Sequence, residues 1–246
     1  MKDGSRSKQM NRNNDNPPDK DADMNQSARE AIFNQLNRMN PPASKPRPTR
    51  ISQVDLPADI DGMIETFSQH MTSLKGEVYR VSGTAGVLDQ LQTIVAANNL
   101  KSVMTTSDTT VQDLALKDWG AGQAIEVLAA DDYTDPVAFK EALFNQVDAG
   151  ITSADYAFSE SATLGICHNR NQARLVSLAP PLHIAIVPVD RLHRYYEDAL
   201  VQLFADRDRI PSQLTLISGP SLTADIAATP TVGMHGPKKV IVIFVT

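Results

Sequence analysis

Cysteine is almost absent: of 246 residues only Cys167 carries a thiol. The chain therefore forms no internal disulfide and cannot by itself supply the thiolates of an iron–sulfur cluster. Cys167 follows Leu164-Gly-Ile in a strand-like context, with no base beside it in sequence, and reads as a small core residue. Positive charge is scarce as well. The net charge is −6 and no Lys/Arg cluster stands out, which argues against a nucleic-acid surface. No apolar run approaches the ~18 residues of a membrane helix, and the polar N-terminus lacks the apolar stretch of a secretory signal. These absences predict a cytoplasmic chain that partners neither a membrane nor a nucleic acid. Local metal-ligand pairings are also missing: no His at i and i+4, no Cys-x-x-Cys. No metal or other cofactor is expected.

What is present is an ordinary globular composition, enough for one sizeable α/β domain with an appendage. Residues 1–26 are rich in Asn, Asp, Lys and Pro and are predicted to be disordered. Ser27-Ala-Arg-Glu30 reads as a capping box that opens a helix faced by Ile32, Leu36 and Met39. Asn40-Pro-Pro ends that helix, and a Pro/Lys/Arg linker runs to Arg50. The main domain is predicted over residues 51–246. There, Ile60, Met63, Ile64, Phe67 and Met71 share one helical face, and strand-like runs follow at Glu77–Val81, Lys101–Thr105 and Ala124–Ala129. A helix is predicted over Thr109–Trp119, and another begins at Asp135-Pro136, an N-cap followed by Pro at the first helical position. The Ser82-Gly-Thr-Ala-Gly86 turn lacks a P-loop Lys and reads as a plain strand-to-helix connection. Alternation at this spacing predicts a three-layer α/β fold, with a mostly parallel central sheet and helices on both faces.

From Gly150 the pattern changes. Two short β-prone runs meet near Ser161-Ala162, which predicts a hairpin with Glu160 at or near its tip. A polar loop then leads to Arg174, and Leu182–Val187 is a buried strand that contains His183. Asp190 is expected to cap a helix faced by Leu192, Tyr196, Leu200 and Leu203. Leu214–Ile217 is β-prone and breaks at Ser218-Gly219-Pro220. Ser221, Thr223, Asp225 and His235 follow before the apolar run Val240–Val245. Read as a link between two central strands, this loop belongs in the crevice beyond their carboxyl ends. Backbone N–H groups near Gly219, beside Ser221 and Thr223, suit a small carboxylate or phosphate. Glu160, Asp225 and His235 are the candidates for proton transfer, with Arg174 and His183 as further ligand-binding candidates. Other readings stay open: Ser221, Thr223 and Asp225 as caps of a short helix, Glu160 as a solvated carboxylate, His183 as a hydrogen-bonded core residue.

The pattern Gly219-Pro-Ser-x-Thr-Ala-Asp-Ile, followed by Gly233-x-His-Gly-Pro237, resembles the C-terminal signature of the bacterial lactate utilisation protein C family. Gly150-Ile-Thr-x-Ala-Asp155 and Arg174-Leu with Pro-Pro-x-His183-Ile resemble it too. The resemblance implies a fold like that of ribose-phosphate isomerase, glucosamine-phosphate deaminase and the CoA-transferases. It also implies a role in oxidising L-lactate to pyruvate beside two sister proteins that hold the iron–sulfur clusters. Two departures stand out: Ala227 replaces the family's Glu, and Ser161-Ala162 replaces its Thr-Gly pair. Ser159-Glu160 is similar to half of the Ser-Glu-Asn-Gly motif of class I CoA-transferases, whose Glu attacks an acyl-CoA. Three functions therefore stand side by side: a cluster-free subunit of a lactate-oxidising system, a stand-alone enzyme on an acyl-CoA or sugar phosphate using Glu160, and a sensor of small carboxylates.

Overall fold

The run Lys-Val-Ile-Val-Ile-Phe-Val near the C-terminus is apolar on both of its faces, and such a strand is stable only where both faces are covered. A computed structural model describes residues 29–35, 38, 55–204, 210–224 and 230–246. In it this run is strand β12 (Lys239–Val245), second in a six-stranded sheet. The sheet order is β1 (Glu77–Val81), β12, β7 (Leu182–Pro188), β4 (Ala149–Ser153), β2 (Ser102–Thr105) and β3 (Glu126–Ala129). Every neighbouring pair is parallel. Side chains alternate across it. Val240, Val242 and Phe244 meet helix α1 (Ile60–Ser73) through Met63, Ile64, Phe67 and Met71. Ile241 and Ile243 meet helix α2 (Gly83–Asn98) through Val87, Leu91 and Ile94. Phe67 stands edge-on to Phe244, 5.0 Å between ring centres.

The helices start and stop where local chemistry directs. Asp59 accepts the Gly62 N–H at 2.8 Å and caps α1. Asn99 takes the left-handed conformation, φ 52°, at the end of α2. The stretch expected to be one helix from Thr109 is two, α3 (Thr109–Gln112) and α4 (Leu116–Gln123). Ala115 between them has φ 46°, which breaks the helix and turns Leu116 into the core. Helix α5 (Pro136–Asn145) begins as its sequence predicts, with Asp135 accepting from Val137 and Ala138. Asp135→Ala should therefore lower stability by about 1 kcal/mol, the usual worth of an N-cap. A urea midpoint that does not move would contradict that.

The expected hairpin is present: β5 (Tyr156–Phe158) and β6 (Thr163–His168) pair antiparallel, with residues 159–162 at the turn. It belongs to a second sheet, ordered β8 (Leu192–His193), β5, β6, β9 (Gln213–Ile217). Ala157, Leu164, Ile166 and Ile217 of this sheet share a core with α1 and the near face of the central sheet. Two expectations change here. β9 is not a central strand but pairs antiparallel with β6. Asp190 caps no long helix. Leu192 pairs with Ala157 and is buried, and helix α7 (Tyr196–Leu203) begins only afterwards. Between β4 and β7, helix α6 (Arg174–Leu178) lies against Gly150. A small antiparallel pair, β10 (Leu222–Ala224) and β11 (Pro230–Val232), completes the fold.

The chain divides into two units, Met1–Ile51 and Ser52–Thr246. In the first, residues 29–35 are helical and expose Ile32 and Phe33. The expectations for residues 1–26, for the Ser27 cap and for the Pro-rich linker fall outside the described residues. Among the described residues no helix is long and apolar enough to cross a membrane.

Candidate functional site

Strand order locates the natural crevice. The chain leaves β2 toward β3 and leaves β4 toward β7, in opposite directions, so the connections part beyond the carboxyl ends of these adjacent strands. Small polar residues gather there instead of apolar ones: Thr105 at the end of β2 with Thr106 and Ser107 after it, and Thr152 and Ser153 at the end of β4, all buried. Ser107 N–H donates to Asn171 O at 2.9 Å, tying the β2 exit to the loop before α6. On the β3 side of β2, a cleft of about 250 Å³ opens between Thr105–Ser107, α3, α4 and the Ala129–Asp132 turn, with the Lys117–Asp132 ion pair (2.8 Å) on its rim.

Asp155, two residues past β4, accepts the Cys167 N–H through Oδ2 at 2.7 Å. Arg191 donates from Nη1 to Ala154 O at 2.8 Å and from Nη2 to Thr110 Oγ1 at 3.0 Å. Asp108 accepts from Thr106 Oγ1 at 2.7 Å and caps α3. His168 is held at both nitrogens, by Gln172 O and Thr215 Oγ1. Burial pushes the Asp155 carboxyl above its ordinary range, opposed by the Cys167 N–H and Arg191 and assisted by Asp108. Burial likewise holds His168 below its ordinary value. A carboxyl raised in this way and set beside a fixed guanidinium suits proton transfer and the binding of a small polar ligand. Cys167 is a different case. Burial, with Asp155 adding, pushes its thiol up to about 12. It should resist iodoacetamide at pH 8 in the native protein and react once urea unfolds the chain. Fast native alkylation would contradict this environment.

Glu160 lies at the other end of the second sheet, five residues along the chain from Asp155, roughly 16 Å at strand rise. Its Oε1 accepts the Tyr196 N–H at 2.8 Å, at the start of α7. The hairpin end that carries it touches the loop after β9, where Thr163 Oγ1 hydrogen-bonds Ser218 Oγ. That loop is anchored at the amino end of the central sheet. Ser221 N–H donates to Pro237 O and Lys238 N–H to Pro181 O, just before β12 and β7. Gly219 has φ 98° and packs close to Leu74 at the end of α1. Thr223 lies in β10, His235 is exposed, and Asp225 falls outside the described residues. The loop thus leads into the amino ends of these strands, not beyond their carboxyl ends, because β9 is in the other sheet. Among the described residues no hydrogen bond or ion pair joins Glu160 to His235. His183 is wholly buried in β7, 2.9 Å from Thr152 Oγ1 through Nε2, with Nδ1 unpartnered. Burial brings its pKa down to about 4 and keeps it neutral. Arg174 is exposed at the start of α6, near enough to His168 to lower that residue's pKa.

The family model for the LUD domain matches residues 64–245. The chain belongs to the LUD domain family. A lactate utilization protein C from Halalkalibacterium halodurans is 30% identical over 189 residues, 75% of this chain and 80% of that protein. An uncharacterised protein from Neisseria meningitidis is 30% identical over 129 residues, 50% of this chain and 55% of that protein. The crystal structure of a DUF162 family protein from Deinococcus radiodurans shares the fold, with a TM-score of 0.58 at 20% identity, over 77% of this chain and all of that one.

Within this LUD domain the residues that sequence reasoning passed over are Asp108, Asp155, Gln172 and Arg191. Two had a visible signal. Asp108 and Asp155 each close a strand exit, Thr-Thr-Ser-Asp and Ile-Thr-Ser-Ala-Asp, where polar residues replace apolar ones. Arg191 had none, since it reaches Thr110 across 81 positions.

Proposed function

We infer that this LUD domain chain is a cytoplasmic component of bacterial lactate utilisation. In this reading it is the subunit of an L-lactate-oxidising system that carries no iron–sulfur cluster of its own, and it works beside sister proteins that do. The observation that carries the reading is the family match over residues 64–245, joined to a relative named for lactate utilization that aligns over three quarters of this chain. The single cysteine supports the division of labour, since an all-cysteine cluster needs four thiolates and Cys167 is one, set in a β strand with its thiol pushed up to about 12. The engagement of the Glu160 carboxylate by the Tyr196 N–H supports a subunit role over acyl transfer through Glu160. A small carboxylate or phosphate is the ligand class. The test is genetic: in a bacterium deleted for its own lactate utilization protein C, this chain should restore growth on L-lactate as sole carbon source. Growth that stays absent while the chain accumulates in folded form would contradict the reading.

A further inference from the structure

Three hydroxyl residues follow one another at the exit of β2, and two of them have acceptors. Thr105 Oγ1 reaches Leu128 O at 3.5 Å, and Thr106 Oγ1 donates to Asp108 Oδ2 at 2.7 Å. Ser107 is 8% exposed, yet its Oγ has no hydrogen-bond partner among the described residues. A hydroxyl so deeply set and left without a partner is costly, so a ligand atom that reaches it is favoured. Ser107 lines the cleft on the β3 side of β2, where the buried part of the lining is otherwise apolar at Val111, Leu116 and Ala129. At about 250 Å³ the cleft falls below the ~300–1,000 Å³ of pockets that take drug-sized ligands, so its occupant is a small molecule.

Charge narrows the class. Lys117 Nζ bonds both carboxylate oxygens of Asp132, at 2.9 and 2.8 Å, so these two charges offset each other. Asp118 and Asp131, their neighbours in sequence, line the same cleft, are exposed, and have no ion-pair partner among the described residues. Three carboxylates against one ammonium repel a phosphate or a carboxylate. Among the described residues no group of His, Cys, Asp or Glu is placed to hold a metal ion, so the charge fits an organic cation. An ammonium brings three donors to this acceptor-rich lip. Its charge belongs at the wet rim, because burial beside Val111 and Leu116 would be costly, whereas an uncharged hydroxyl suits Ser107 at the buried end. We propose that this cleft binds a short-chain amino alcohol, its ammonium at Asp118 and Asp131 and its hydroxyl at Ser107. The cleft lies across β2 from the β4 exit, and its ligand does not depend on the lactate-utilisation reading.

The test is a titration of the full-length, nitrogen-15-labelled chain, followed by amide shifts. The probes are 4-amino-1-butanol, n-butylamine, 1,4-butanediol and sodium 4-hydroxybutyrate, which are similar in length and differ in charge and hydroxyl. 4-Amino-1-butanol should shift residues 105–107, 111–118 and 129–132 saturably. n-Butylamine lacks the hydroxyl and should bind roughly fivefold more weakly, as expected for one neutral hydrogen bond. 1,4-Butanediol lacks the charge and should also bind roughly fivefold more weakly, as expected for two exposed ionic contacts. 4-Hydroxybutyrate should not saturate. Added salt should weaken the amino alcohol and leave the diol unchanged. Ser107→Ala removes a hydroxyl without a partner and keeps the N–H bond to Asn171 O, so it should bring 4-amino-1-butanol down to the affinity of n-butylamine. Asp118→Asn/Asp131→Asn, at two exposed positions, should bring it down to that of the diol. Should either variant not fold, the wild-type order of the four probes decides alone. No saturable shift, shifts confined to other residues, 4-hydroxybutyrate binding as tightly as the amino alcohol, or folded variants that keep the wild-type order would each overturn the proposal.

Discussion

Gly150→Ala is expected to unfold the domain or leave it barely stable. A Cβ at this position would stand 1.8 Å from Val176 O and 2.9 Å from Val176 C, both backbone atoms of α6. A side-chain tip can rotate away; a helix backbone cannot, and overpacking a well-filled core typically costs 1–3 kcal/mol, more where backbone must move. We expect a loss of at least ~3 kcal/mol in urea denaturation. The same glycine lets α6 lie against β4 and so sets the Gln172 turn against Ser153, which links the packing to the crevice. Gly122→Ala is the control. Nothing lies within 4 Å of a Cβ there, the residue is exposed in α4, and alanine should add ~0.5–1 kcal/mol of helix propensity. A Gly150→Ala protein with a wild-type midpoint would refute the close approach.

Acid should destabilise the protein through His183. Its folded pKa is about 4 against an ordinary 6.5, because the ring is wholly buried. The unfolded chain therefore binds the proton below pH 6.5, whereas the folded chain binds it only near pH 4. Stability from this group is complete above pH 6.5 and is lost as the pH falls from 6.5 to 4, a change on the order of 3 kcal/mol. His168 and His193 are shifted in the same direction by partial burial and steepen the slope. The double variant His183→Leu/Thr152→Val separates the contributions. It replaces both members of a wholly buried pair with apolar groups and removes the unpartnered Nδ1, so it should cost little at pH 7. Its stability should fall less steeply than wild type over that pH window. Parallel curves would mean that His183 is not held neutral.

The central layer was legible because its strands are covered on both faces and read as unbroken apolar runs. Val240–Val245 and Leu182–Val187 are the clearest, and both lie where the pattern put them. Asp135-Pro136 was legible because capping is local chemistry. β9 was misplaced because Gln-Leu-Thr-Leu-Ile has the same β propensity in either sheet, and only its pairing with β6 decides. Helix α7 was started too early because Leu192 satisfies a helical pattern as well as it fills the strand site beside Ala157. The crevice was half legible. Polar residues at the ends of β2 and β4 are visible in sequence. Their convergence with Arg191 and Gln172 is tertiary, and no periodicity reports it.

The central claim is that this LUD domain works through the crevice beyond β2 and β4. The most direct measurement is growth on L-lactate, in a host lacking its own lactate utilization protein C, of the wild-type chain, Asp155→Asn and Glu160→Gln. All three should fold, since Asn keeps the acceptor for Cys167 N–H and Gln keeps the acceptor for Tyr196 N–H. The account expects growth from wild type and Glu160→Gln and none from Asp155→Asn, at equal protein levels and with similar melting temperatures. Normal growth of Asp155→Asn together with failure of Glu160→Gln would contradict it, and would move the chemistry to the hairpin tip.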